Sequence, residues 1–116
     1  MRLSKSRFVA GVQCLKRLYL QVHRPELAEE ADEGAQAVMD QGQLVGLEAQ
    51  LAFPGGVLVE SSHEQLGRAL ARTAELVRDS SVPAIFEATF EADNILVRVD
   101  VLKREPSGKF QILEVK

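Results

Sequence analysis

The feature that most constrains this 116-residue chain is a change of hydrophobic period at Pro83. Upstream, apolar residues recur every three or four positions, the spacing of one helix face. Downstream, apolar and polar residues alternate, the spacing of a strand. Residues 84–91, 95–103 and 109–116 therefore read as three strands. Asp93-Asn94 joins the first pair, and Glu105-Pro106-Ser107-Gly108 joins the second. A short strand is expected at Val57–Glu60, after the turn Phe53-Pro54-Gly55-Gly56. The order α, α, (β), α, β, β, β describes an α+β chain ending in an antiparallel meander.

Three helices are expected upstream. Residues 4–22 place Phe8, Val12, Leu15, Tyr19 and Val22 on one stripe. Ser4 or Ser6 is the candidate N-cap, and Pro25 stops continuation. Residues 27–52 begin with Glu29, Glu30, Asp32 and Glu33, acids suited to the positive end of a helix dipole. Gly42 and Gly46 lie one turn apart there, so a close neighbour is expected on that face. Residues 64–79 carry Leu66, Ala69, Leu70, Thr73, Leu76 and Val77 on one face, with Ser62 and Gln65 as a capping box.

Composition adds what periodicity does not. At 46% hydrophobic and 27% charged the chain can build a core. Its net charge of −3 argues against a strongly basic nucleic-acid-coating protein. The charges are ordered in blocks, however. Residues 1–24 hold six basic side chains and no acid, and residues 25–64 hold nine acids and no Lys or Arg. Such a pattern can orient a polyanion despite the negative sum. Arg7, Lys16, Arg17 and Arg24 are then candidate phosphate contacts, with an ordinary solvated face as the alternative. Tyr19, on the stripe, is expected in the core rather than stacked on a base. No apolar run approaches the length of a membrane span, and no signal-peptide h-region follows the basic start. The single cysteine excludes an internal disulfide, so the cytoplasm is the expected compartment.

The strands carry the chemistry. Glu87, Asp100 and Glu114-Val115-Lys116 all interrupt apolar runs. Alternation predicts Ile95, Val97, Val99 and Val101 on one face, with Asp100 opposite them beside Arg98 and Leu102. Glu114 and Lys116 should share a face with Phe110 and Ile112. An unpaired carboxylate buried in such a run costs several kcal/mol. A divalent cation offsets that, and Mg²⁺ commonly uses one or two carboxylates plus waters and phosphate oxygens. A lysine two residues after a ligand can orient water or stabilise transition-state charge. That set suits phosphodiester hydrolysis. In the competing readings Glu114 and Lys116 form the solvent face of an edge strand, and Asp100 and Glu87 pair with Arg98 and Lys103.

Asp100 on one strand and Glu114-Val115-Lys116 on the next resemble the PD-(D/E)XK nucleases, most closely the RecB-like branch with its CRISPR-associated exonucleases. The opening LSKSRFVAGVQCLKRLYLQVHRPEL also resembles the Ser…Cys-x-x-Arg-x-Tyr/Trp-Leu start of RecB-like nucleases, and that of an uncharacterised bacterial family among them. The resemblance covers nearly the whole chain. It implies a restriction-endonuclease-like core truncated after its third core strand, in a single partial domain spanning 1–116. Residues 1–56 would be its helical N-terminal part and 57–116 its α/β core part. It further implies Asp100 and Glu114 as ligands of Mg²⁺ or Mn²⁺, Lys116 as the catalytic lysine, Glu87 as an accessory acid and DNA as partner. Cys14 would match a ligand of a [4Fe–4S] cluster in the full-length protein. One cysteine cannot assemble such a cluster, and Cys14 as a small buried hydrophobe is the alternative.

Two departures accompany the resemblance. Many RecB-like enzymes carry a metal-binding His where this chain has Gly46. Asp40 and Glu48 nearby read as a solvated face, and His23 and His63 as surface residues. The missing later elements would leave a sheet edge open to self-association and the fragment inactive alone. A non-catalytic nucleic-acid- or protein-binding module on the same fold is the rival expectation.

Overall fold

The computed structural model describes residues 1–60 and 65–116. The Ser62–Gln65 capping box and His63 involve positions 61–64 and lie outside the described residues.

The first expected helix is two. Helix α1 (Lys5–Gln13) and helix α2 (Leu15–His23) meet at Cys14, whose backbone is extended at φ −165° and ψ 118°. Ser4 caps α1, accepting the Arg7 N–H. The two helices fold against each other closely enough that a Cβ on Gly11 would lie 3.0 Å from Leu18 Cδ2. One helical wheel no longer relates the residues on either side of the break. The stripe therefore disperses: Phe8, Val12, Leu15 and Tyr19 are exposed rather than core. Tyr19 instead stacks obliquely on His23, with ring centroids 4.7 Å apart.

Pro25 ends this pair and opens a single 3₁₀ turn, Pro25–Leu27. Helix α3 (Glu33–Ala52) starts later than the acidic run suggested, because Asp32 accepts the Ala35 N–H at 2.7 Å and serves as its N-cap. Helix α4 (Leu66–Arg78) buries Ala69, Thr73 and Leu76, the face its periodicity indicated.

Among the described residues there are four strands, β1 (Val57–Leu58), β2 (Ala84–Ala92), β3 (Ile95–Arg104) and β4 (Phe110–Leu113). They lie in the order β1-β2-β3-β4, with β1 parallel to β2 and the remainder an antiparallel meander. The architecture is thus α+β with a mixed sheet. Asp93 and Asn94 both take positive φ (51° and 62°), as a tight two-residue hairpin link requires. Gly56 follows the turn before β1 and admits no side chain, since a Cβ there would lie 2.4 Å from Phe86 Cε2.

Strand β4 stops three residues short of the expected end. The N–H of Val115 turns to the Asp100 carboxylate instead of the ladder. Further along the same edge of β3, Leu3 occupies the pairing groups: its N–H bonds Asn94 O at 2.7 Å, and its carbonyl accepts the Leu96 N–H at 2.9 Å.

Cores form on both faces of the sheet. On one, α4 contributes Ala69 and Leu76 against Ile85, Ala88, Val99 and Leu102. On the other, Phe86, Ala84 and Val101 meet Phe53 and Ala49 from the end of α3. Arg104 fastens the first. Its guanidinium donates to the carbonyls of Leu76, Val77, Asp79 and Val82 at 2.9–3.1 Å, gathering the acceptors left open where α4 ends. The rest of α3 extends from the body. The Cα radius of gyration is 16.0 Å, against about 13 Å for a compact chain of this length.

Candidate functional site

Strand alternation fails at one cross-strand position, and the acids sit there. The pairs Ile85↔Leu102 and Ala88↔Val99 both face α4, although they are three residues apart. Between them Phe86↔Val101 faces α3. The pleat therefore changes phase at Glu87 and Asp100, which lie between the Phe86 and Ala88 pairs. Glu87 carries the distortion, with φ +57°. Outside glycine this left-handed conformation is sterically disfavoured, and such strain gathers at functional sites.

Two hydroxyls hold the kink. Thr89 Oγ1 donates to Glu87 O at 3.0 Å, and Thr73 Oγ1 of α4 accepts the Thr89 N–H at 3.0 Å. Asp100 consequently does not stand opposite a continuous Val99–Val101 face, as simple alternation predicted. Together with Phe86 and Glu87 it borders a cleft on the α3 side.

Gly42, Gly46, Ala49 and Gln50 form the facing wall of that cleft, and Val115 closes one end. The close neighbour expected at the two glycines is absent: a Cβ on either would meet nothing within 4 Å. Their smallness keeps open the space above the carboxylates.

The electrostatics are those of crowded acids. Burial pushes the Glu87 carboxyl above its ordinary range, the neighbouring Asp100 pushes it further, and Arg98 opposes both. The Arg98 Nε–Glu87 Oε2 separation is 3.9 Å, a loose ion pair. The Glu87–Arg98 contact is the one the competing structural reading expected, whereas Asp100 Oδ2 accepts the Val115 N–H at 2.9 Å and, among the described residues, forms no ion pair with Arg98 or Lys103. Lys103 lies over the Phe53 ring.

Glu114 does not line the cleft. It stands beyond β4 with its Oε1 2.7 Å from Lys5 Nζ. The Lys5 hydrogen bond and charge, with a smaller contribution from Lys116, hold its carboxyl below the usual range. The reciprocal contact raises Lys5. Lys116 is exposed. Of the five motif positions, then, Glu87, Asp100 and Val115 line the cleft, while Glu114 and Lys116 do not. Among the described residues no group of three or more His, Cys, Asp and Glu is arranged to hold a metal ion.

The remaining candidates are dispersed. Cys14 is exposed at the α1–α2 junction, not buried. Arg7 spends one guanidinium nitrogen on Arg2 O at 2.6 Å, and Arg24 pairs with Glu26. Lys16 and Arg17 are exposed on α2. Lys5 and the Thr73–Thr89 link were not singled out from sequence. Lys5 is one cation among six in its block, and a threonine at a helix core position reads as packing. Among the described residues no helix is long and apolar enough to cross a membrane.

No family model matches the chain, and no curated protein or solved structure is significantly similar to it.

Proposed function

We propose that this chain carries the acidic centre of a metal-dependent nuclease of the PD-(D/E)XK type, RecB-like branch, acting on DNA phosphodiester bonds. The observation that carries the reading is the placement of Glu87 and Asp100 side by side at a kinked strand pair, facing an open glycine-lined cleft. Two adjacent carboxylates, one pushed toward protonation by burial and then by the other, form a donor set that a divalent cation neutralises. Asp100 and Glu87 would hold Mg²⁺ or Mn²⁺. Such an ion lowers the pKa of a bound water and polarises phosphorus.

The chain's own residues do the rest. The Val115 N–H fixes the orientation of the Asp100 carboxylate. Gly42 and Gly46 add no side chain to the cleft, and a sugar–phosphate backbone would approach the carboxylates from that side. Glu114 would join the ligand set on exchanging Lys5, and Lys116 would position the attacking water. Exposed Lys16 and Arg17 would contact phosphates. Cys14 is accessible to a cluster, but the chain's single thiolate fills one of about four positions.

The test is Mg²⁺-dependent cleavage of linear and circular DNA by the full-length protein and by its Asp100→Ala and Lys116→Ala variants. Loss in both variants supports the reading, and equal activity in all three removes it.

A binding module on the same fold is the second reading. The Lys5–Glu114 pair and Gly46 at the histidine position favour it. Mn²⁺ binding that is lost in Glu114→Ala, without any cleavage by the protein itself, would select this reading.

A further inference from the structure

A second concavity, of about 1000 Å³, lies between α1, α2 and the first half of β3. Its floor is apolar: Phe8 and Val9 of α1 face Ile95 and Val97 of β3, all four exposed. Its polar lining includes Arg17 together with Lys5 and Arg98, which pair with Glu114 and Glu87, and among the described residues no acid lines it. An exposed apolar floor with a polar rim is the form that interaction sites take.

The complementary surface is in the same chain. Helix α3 directs Gly42, Gly46, Ala49 and Gln50 toward the sheet. Helical spacing places Leu44, Leu47 and Leu51 on the opposite side, and they are 62%, 56% and 81% exposed. Glu48 flanks that leucine stripe, and Asp40 and Glu33 lie on it toward the helix start. Residues 25–64 contain no Lys or Arg, so the α3 surface carries only negative charge, opposite in sign to the groove rim. With 20 residues, α3 is about 30 Å long and reaches well beyond its own body.

We infer that the groove between α1, α2 and β3 receives the Leu44–Leu47–Leu51 stripe of α3 from a second copy of this chain. Two such contacts are mutual, which closes the assembly as a twofold dimer. The leucines fill the apolar floor, and Asp40 and Glu48 approach the cations at the rim. This inference does not rest on the metal-centre reading, although Lys5, Arg17 and Arg98 take part in both, and its readout is the oligomeric state rather than activity.

The experiment is sedimentation velocity across a concentration series from about 1 to 200 μM at low and high salt. It uses the protein, Leu47→Glu, Arg17→Glu, Glu48→Arg and the Arg17→Glu/Glu48→Arg pair. Circular dichroism and thermal melting establish that each variant is folded. The expected result is a dimer whose dissociation constant rises at least tenfold in Leu47→Glu and rises with salt. Each single charge reversal should weaken it, and the double reversal should restore it by at least half. A monomer throughout the series overturns the inference. A dimer indifferent to Leu47→Glu and to both reversals does so as well. So does a folded monomer whose groove is occupied by a different protein or by nucleic acid.

Discussion

Lys5 donates to Glu114 Oε1 at 2.7 Å, joining the first turn of α1 to the chain beyond β4 across a separation of 109 residues. Both partners are solvent-exposed. The pair therefore adds little to stability, and its consequence is chemical: a candidate ligand is held by a cation.

Removing that cation should free the carboxylate. Lys5→Ala is expected to bind Mn²⁺ several-fold more tightly than the wild-type protein, and Lys5→Ala/Glu114→Ala more weakly than Lys5→Ala. Isothermal titration with MnCl₂ checks both. Unchanged affinity in Lys5→Ala would place Glu114 outside the ligand set.

Glu87 links pH to stability with an unusual sign. Its carboxyl is raised by burial and by Asp100, so the folded chain holds this proton more tightly than the unfolded chain. Ionisation in the folded state therefore opposes folding. The contribution is destabilising above the folded pKa and diminishes as pH falls through it toward the unfolded value. Glu87→Gln should be more stable than wild type at pH 7, by less than about 1 kcal/mol because solvent screens the half-exposed group. The gain should vanish in acid. Glu87→Val should instead lose more than about 1 kcal/mol at every pH, since a β-branched residue resists φ +57°. Urea titrations at pH 4 and 7 distinguish the two.

Thr73 supports the kink from α4. Thr73→Val keeps the shape but leaves the buried Thr89 N–H without its acceptor, a loss of about 1–3 kcal/mol. Thr73→Ser should retain most of the stability. If the kink positions the acids, Thr73→Val should also weaken Mn²⁺ binding under conditions where the protein is fully folded. A stability loss with intact metal affinity would make the link purely structural.

Arg104 should be among the most sensitive positions in the molecule. Arg104→Met retains much of the stem but abandons four carbonyls, and should lower the unfolding free energy by about 2–3 kcal/mol. Lysine should recover less than half of that, because one ammonium cannot reproduce the planar fork. Chemical denaturation of the three proteins provides the comparison.

Local chemistry was legible in the sequence wherever it acts over a few residues. The Asp93-Asn94 link, the stop at Pro25, the Ser4 cap and the apolar face of α4 all follow from backbone sterics and nearest-neighbour spacing. Asp100, Glu87 and the Glu114-x-Lys116 pattern were visible as acids and a lysine interrupting strands. Their arrangement was not. Periodicity assumes an unbroken helix or an unbroken pleat, and this fold breaks both. At Cys14 one extended residue breaks the helix, and Gly11 leaves room for Leu18 of α2, so the apolar stripe is left in solvent. At Glu87 the pleat changes phase because Thr73 and Thr89, 16 residues apart, satisfy the backbone that the kink disturbs. Residue order by itself determined the elements, their turns and the supply of acids. Only the tertiary structure decided which acids meet, since that depends on hydrogen bonds between segments that no local spacing connects.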